Sequence, residues 1–267
     1  MPRAERAWLT TELRDFAHHV QGSLAPRGYE AYVRIPHALE GEDPDAGPEP
    51  DPYDEDTPWP VHPEVGWGEV AAWSGRELHP LAEWDAVSTP VDPLTPGRPW
   101  DGEDPEEGCL TDRQLAALLP VLAAHTTTPD DCWFGLWDGF GFLHKGGVSF
   151  FVVADTPQEE AAARAEMTAH WPGLDVSRMP LLHLPERDYL LFRGTVHDAR
   201  VGVGIGPYAN ETREGPNLAW PADRSWFLAT ESDLTSTYLA CTRALAEALT
   251  AAPALEALVL PPHAPVL

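Results

Sequence analysis

The chain has one lysine, Lys145, and only 17 basic residues in all, against 43 acidic ones, for a formal net charge of −26. A surface of that sign repels phosphate backbones and anionic lipid, which excludes binding to nucleic acid or to a membrane surface by charge neutralisation. Any Schiff-base or phosphate-holding lysine chemistry has to use Lys145. Cysteine is also scarce: Cys109, Cys132 and Cys241 form no CxxC pair and are odd in number. They are expected to be reduced thiols in a cytoplasmic protein, not a disulfide framework. No apolar run approaches the ~18 residues of a membrane span. The opening MPRAERAWLTTELRDF has no apolar core of a signal peptide, so a soluble protein is expected.

Several motifs of chemistry are missing too. The glycine-rich GVGIG at 202–206 has Pro207 where a dinucleotide fingerprint needs its third glycine, and a glycine-spaced strand is the better reading. No GxxxxGK occurs. GVSFF at 147–151 matches only the first half of a GxSxG elbow. Among 11 histidines no two stand four apart, as a helical zinc pair would. A site assembled from distant residues, for example His37, His79 and a carboxylate, is left open, and neither metal nor cofactor is assigned. Cys132 and Cys241 read as core, and the acids around Cys109 oppose thiolate formation.

What is present is an uneven mixture of helix and strand signals. Leu9, Leu13, Phe16 and Val20 share a helical face, giving a first helix ending near Gly22. YEAYVRI alternates as a strand up to Pro36. Residues 40–60 hold nine acids and six prolines and no base, the composition of a solvated loop. WGEVAAWSG reads as a short helix. STPVDPLTPGRPWDGEDPEEG (88–108) is a second acidic, proline-rich loop. Capping boxes open helices at TDRQ (111–114) and TPQE (156–159). Asp138-Gly139 between two apolar runs predicts a hairpin. VSFFVVA, LLHL, DYLLFRG, RVGVGIG and SWFLATES read as strands, and a closing helix places Tyr238, Cys241, Leu245 and Leu249 on one side. The expected architecture is α+β: one domain over 1–267, with a core at about 110–260, a mostly antiparallel sheet with helices packed on it, and the N-terminal third wrapped around it.

The densest constellation is NLAWPADRSWFLATESD (217–233). Trp226, Leu228 and Thr230 alternate with Phe227, Ala229 and Glu231 along a strand, and Ser232 or Asp233 is placed to cap the closing helix. A buried Glu231 needs an arginine, with Arg193 or Arg224 as the natural partners. The candidate binding residues are Trp137, Arg193, Trp220, Asp223, Arg224, Glu231 and Asp233; no catalytic residue is assigned.

CWFGLWDGFG, PERDYLLFRG, PNLAWPADRSWFLATESDLTSTY, GYEAYVRIPHAL and WGEVAAWSG together resemble a family of uncharacterised actinobacterial proteins, over nearly the whole chain outside the two acidic loops. That resemblance implies no activity. It does imply a second tryptophan where this chain has Ala219, and a Gly-Gly-Ser in place of part of Leu239-Ala240-Cys241-Thr242. A glycine pair opening a helix can form an anion-binding nest, which this member lacks. The layout is also similar, at fold level only, to the SUKH immunity superfamily. Two functions are therefore expected: an acidic binding or immunity-like module for a basic protein partner, or an enzyme whose small-molecule pocket is lined by Trp137, Trp220 and Trp226 with arginine and acid groups. Oligomeric state is left open.

Overall fold

A computed structural model describes residues 3–13, 24–41, 62–144, 156–170, 179–184, 187–200 and 215–261. The strands are β1 (Ala31–Pro36), β2 (Leu39–Glu40), β3 (Glu64–Val65), β4 (Cys132–Trp137), β5 (Leu181–Leu184), β6 (Arg187–Gly194), β7 (Leu218–Pro221), β8 (Trp226–Ala229), β9 (Ser236–Cys241) and β10 (Leu258–Val259). Eight of them form one antiparallel sheet in the order β10-β1-β9-β8-β7-β4-β6-β5, and β2 pairs with β3 apart from it. The expected α+β class, a mostly antiparallel sheet with helices packed on it, is what the chain adopts.

Side-chain alternation sends each strand's residues to two covered faces. On one face α4 (Asp112–Ala124) and α6 (Arg243–Thr250) press Leu118, Leu122, Leu245 and Leu249 onto Val33, Ile35, Phe134, Trp226, Leu228 and Leu239. On the other, α1 (Arg3–Glu12) brings Trp8 and Leu9 onto Trp220, Phe227, Ala229 and Tyr238. Both faces being covered explains why β7, β8 and β9 are buried along their whole length. β1, from the N-terminal third, lies inside this sheet between β9 and β10.

Beside the sheet stands a tryptophan-rich lobe of α2 (Trp67–Ser74), α3 (Trp84–Ser88), β2, β3 and Trp100. Its rings meet edge-on or tilted: Trp67 and Trp84 are 5.1 Å apart, Trp84 and Trp100 5.6 Å, Trp73 and Trp100 5.3 Å. Three polar ties fix it to the sheet. Arg34, fully buried, lies 4.9 Å over Trp67 and donates to Ala82 O at 2.6 Å and Ser236 Oγ at 2.9 Å. Trp67 Nε1 donates to His37 O at 3.0 Å. The Glu256 carboxylate accepts the amides of Trp67 and Gly68, the exposed positive end of α2. A Cβ at Gly68 would stand 2.5 Å from Glu256 Oε1, so only glycine admits that approach.

Both expected capping boxes form. Thr111 Oγ1 accepts from Gln114 N at 3.1 Å and Gln114 Oε1 from Thr111 N at 3.2 Å. Thr156 and Glu159 do the same at the start of α5 (Pro157–His170). Gln114 also donates to Pro36 O at 2.7 Å, tying α4 to the end of β1. Pro120 lies inside α4, which runs on to Ala124. Replacing Thr111 by Ala is expected to cost about 1 kcal/mol, readable as a lower denaturant midpoint at unchanged slope.

Two local expectations are corrected. Asp138-Gly139 makes no hairpin: β4 pairs with β6 and β7, and the chain after Gly139 forms a single 3₁₀ turn at Gly141–Leu143 that packs Leu143 on Leu136 and Leu190. The closing helix does not include Tyr238 and Cys241. They lie in β9, between β1 and β8, pointing to opposite faces. A fully buried strand has a continuous apolar run that periodicity cannot separate from a buried helix. The helix begins at Arg243, capped by Thr242. VSFFVVA, the GVGIG stretch, residues 42–61 and the continuation of the first helix towards Gly22 fall outside the described residues.

Candidate functional site

Residues 217–233 are a packing nexus before they are a site. Asn217, fully buried, donates to Thr230 O at 3.0 Å and accepts from Trp137 N at 2.8 Å, joining the ends of β4 and β8. Trp220 stacks on Phe227 at 5.6 Å and meets Trp8 edge-on at 6.5 Å. Its Nε1 is buried with no acceptor among the described residues. Trp226 points the other way, donating to Leu122 O at 3.2 Å. Trp220 and Trp226 are thus sealed on opposite sides of the sheet, and the three tryptophans 137, 220 and 226 share no pocket.

The structure does bring Glu231, Asp233 and Trp137 together, around a residue the sequence did not single out. Glu231 is 2% exposed. Its partner is neither Arg193 nor Arg224 but Arg187, at the start of β6, with Tyr189 Oη donating to the other carboxylate oxygen at 2.6 Å. Arg187 donates a second fork to both oxygens of Asp233 at 2.9 Å and lies 5.1 Å over Trp137. Asp233 therefore anchors an arginine and caps no helix. Burial holds the Glu231 carboxyl above its usual range, partly offset by Tyr189 and Arg187. Burial also raises the Tyr189 hydroxyl, and the Glu231 charge beside it adds to that. A cavity of about 400 Å³ opens next to this cluster, lined by Trp137, Asp138, Gly139, Leu184, Arg187 and Asp188. Two aspartate–histidine pairs stand near its wall: His183 Nδ1 is 2.8 Å from the Asp188 carboxylate, and His144 Nε2 bonds to the Asp138 carbonyl oxygen at 2.6 Å with the Asp138 carboxylate 3.5 Å away. With Arg187 committed to two carboxylates, acids outnumber bases around this cavity.

The other candidates lie elsewhere. Arg193 makes two 2.6 Å bonds to Asp131 and covers Trp133, on an exposed face where such a pair contributes little. Asp223 accepts from Thr126 Oγ1, from the amide and hydroxyl of Thr127 and from Ser225 N. Burial pushes its carboxyl up, but these bonds prevail and bring it down to about 2. Arg224 has a left-handed backbone, φ 56°, with its guanidinium 4.5 Å over Trp8 and its carbonyl accepting from Tyr29 Oη at 2.9 Å.

A larger polar groove, about 580 Å³, runs between the tryptophan lobe and the start of α4. Seven acids line it (Glu40, Glu64, Asp101, Glu103, Asp104, Glu106 and Asp112) together with His62 and Arg113. Four of these acids (Asp101, Glu103, Asp104 and Glu106) belong to the 88–108 loop, whose stretch from Arg98 onward is anchored. Trp84 Nε1 donates to Asp104 at 2.6 Å, Trp100 Nε1 to Glu103 O at 3.0 Å, Arg98 to Asp101 O at 2.7 Å, and Asp101 caps Glu103 N at 2.9 Å. At its end Gly108, φ 78°, passes so close to Ser232 that a Cβ would lie 2.9 Å from that Cα.

His37 completes the anchorage from below. Its Nδ1 is 2.7 Å from Glu106 O, and its Nε2 is 3.0 Å from Thr237 Oγ1, which meets Thr230 Oγ1 at 2.8 Å. Burial depresses the imidazole to about 4, so it is neutral and structural. His79 is turned to its own loop, accepting from Leu81 N at 3.2 Å, so the two histidines build no metal centre together. Among the described residues no group of three His, Cys, Asp or Glu could hold a metal ion, and no helix is long and apolar enough to cross a membrane. Burial pushes the thiols of Cys132 and Cys241 up to about 12, which removes them as nucleophiles.

No family model matches the chain, and no curated protein or solved structure matches it either.

Proposed function

We propose that the chain is an acidic binding module that receives a basic segment of a protein partner in the groove between the tryptophan lobe and α4. One observation carries this reading: seven carboxylates line a 580 Å³ groove whose wall is held by tryptophan, histidine and backbone hydrogen bonds. A net charge of −26 alone describes solubility. Carboxylates on a pre-ordered wall describe recognition, because little conformational entropy is lost when a cation docks. In its immunity-like form, filling the groove blocks the partner's own activity.

The test is titration of the full chain with an octa-arginine peptide. Changing Glu40, Glu103 and Glu106 to Gln together is expected to weaken binding by roughly tenfold or more. Changing Glu77, Asp130 and Glu247, three acids outside the groove, is expected to weaken it by about twofold or less, with binding falling as salt rises. Equal losses from the two triples would mean diffuse attraction to an acidic surface and no groove.

A small-molecule enzyme is the second reading, favoured by the cavity beside Trp137 and its two aspartate–histidine pairs. It wants an activated nucleophile, which the described residues around that cavity do not offer: Glu231 and Asp233 are engaged by Arg187 and Asp188 by His183, while Asp138 Oδ1 is buried without a hydrogen-bond partner among the described residues.

A further inference from the structure

Among the described residues three large apolar side chains stand in solvent: Leu94 is 85% exposed, Val91 62% and Val259 47%. Two of them, Val91 and Leu94, share the first half of the 88–108 loop, with exposed Pro93 and Pro96 beside them. A single apolar side chain in solvent is ordinary. A cluster of them is not, on the loop whose second half supplies four carboxylates to the acidic groove.

The cluster is held outward by its own backbone. Val91 N donates to Ser74 O at 2.8 Å and Trp73 Nε1 donates to Pro96 O at 3.0 Å, so both ends of the segment are tied to α2. Between them Asp92 turns the chain. Its carboxylate accepts from Leu94 N at 2.9 Å, and its carbonyl accepts from Thr95 N at 3.0 Å and from Thr95 Oγ1 at 2.8 Å. Pro90, Pro93 and Pro96 fix φ at three more places. Leu94 is thereby presented on a pre-ordered turn, and little backbone entropy is lost when a partner covers it.

We infer that Leu94 and Val91 are an apolar anchor for the same partner whose basic segment enters the acidic groove, and that this segment carries aliphatic or aromatic side chains beside its basic ones. The inference rests on the groove reading. Charge settles the occupant: with seven carboxylates in the groove and Asp92 in the turn, a second copy of this chain, at −26, is repelled. Attraction by charge alone admits any cation and fades with salt. Burial of a leucine adds a contribution that salt does not screen. Leu94 stands seven positions before Asp101, at most about 25 Å along an extended chain, so one interface of ordinary size can cover both.

Two peptides are compared by calorimetry on the full chain at moderate salt. Each is octa-arginine flanked on both sides by a short Gly-Ser linker, ending in Leu-Leu-Phe in one and in Ser-Ser-Ser in the other. The apolar peptide is expected to bind roughly tenfold tighter than the serine peptide. Leu94→Ser is expected to bring that ratio close to one and Val91→Ser to reduce it, while Val259→Ser, on the edge strand β10, keeps it. Equal affinities for the two peptides, or a ratio that survives Leu94→Ser, would overturn the inference and leave the groove standing. No binding of the serine peptide would overturn the groove reading and the inference with it. A wild-type dimer that Leu94→Ser makes monomeric, read by sedimentation, would give the patch to a second copy and overturn the inference as well.

Discussion

Arg187→Met is expected to destabilise the chain by about 3–5 kcal/mol at pH 8, because it strands Glu231 as a buried carboxylate with its counter-ion gone. Tyr189 alone cannot balance that charge, and Asp233 loses its anchor as well. The loss should depend on pH. Burial already raises Glu231, and without Arg187 its folded pKa rises further above the unfolded value. A carboxyl whose folded pKa is raised stabilises the native state below the unfolded pKa, and that contribution is lost as pH rises through the folded pKa. The deficit of Arg187→Met therefore shrinks near pH 5 and grows towards pH 8. Adding Glu231→Gln should restore much of the stability, since an amide oxygen still accepts from Tyr189. Denaturant titration of the two single variants and the double variant at both pH values checks this. A cost below about 1 kcal/mol, independent of pH, would reduce the cluster to an ordinary surface pair.

The second large effect is acid lability at His37. Its unfolded value is 6.5 and burial holds its folded value at about 4. For a base with a depressed folded pKa, only the unfolded chain takes up the proton between those values. The associated stability is thus complete above pH 6.5, falls as pH drops, and is gone near pH 4, a total of about 3 kcal/mol. Other groups titrate in the same window, so the relevant quantity is the difference between wild type and His37→Gln. Their stability curves should converge by about that amount between pH 7 and pH 4. Parallel curves would show that His37 is charged, or reachable by water, in the native chain. Since Glu106 O rests on this ring, loss of the His37 contact should also loosen the acidic wall of the groove.

Legibility in the sequence followed the range of the interaction. The capping boxes at Thr111 and Thr156, the strand ending at Pro36 and the short helix at Trp67–Ser74 are local, and all were readable. β9 was not: Tyr238 and Cys241 fit a helical spacing by coincidence, and only the neighbouring strands β1 and β8 decide the matter. The need of Glu231 for an arginine was readable from its alternation with Trp226 and Leu228. Its choice of Arg187 over Arg193 was not, because both belong to one strand and one face, three repeats of the two-residue alternation apart. The register Trp137↔Tyr189 brings the start of β6 to the end of β8 and sends Arg193 to Asp131. In the 88–108 loop the charges were plain but the anchoring was hidden, since it comes from Trp84, Trp100 and His37, the last of which reaches Glu106 across 69 positions of the chain.

The most direct test of the groove is to follow backbone amide resonances of the full chain as the octa-arginine peptide is added at moderate salt. The expected result is a contiguous set of shifts at Glu40, Glu64, Asp101, Glu103, Glu106, Asp112 and Arg113, around the 580 Å³ groove. Shifts spread evenly over the acidic surface, or centred on Trp137 and Asp188, would contradict it.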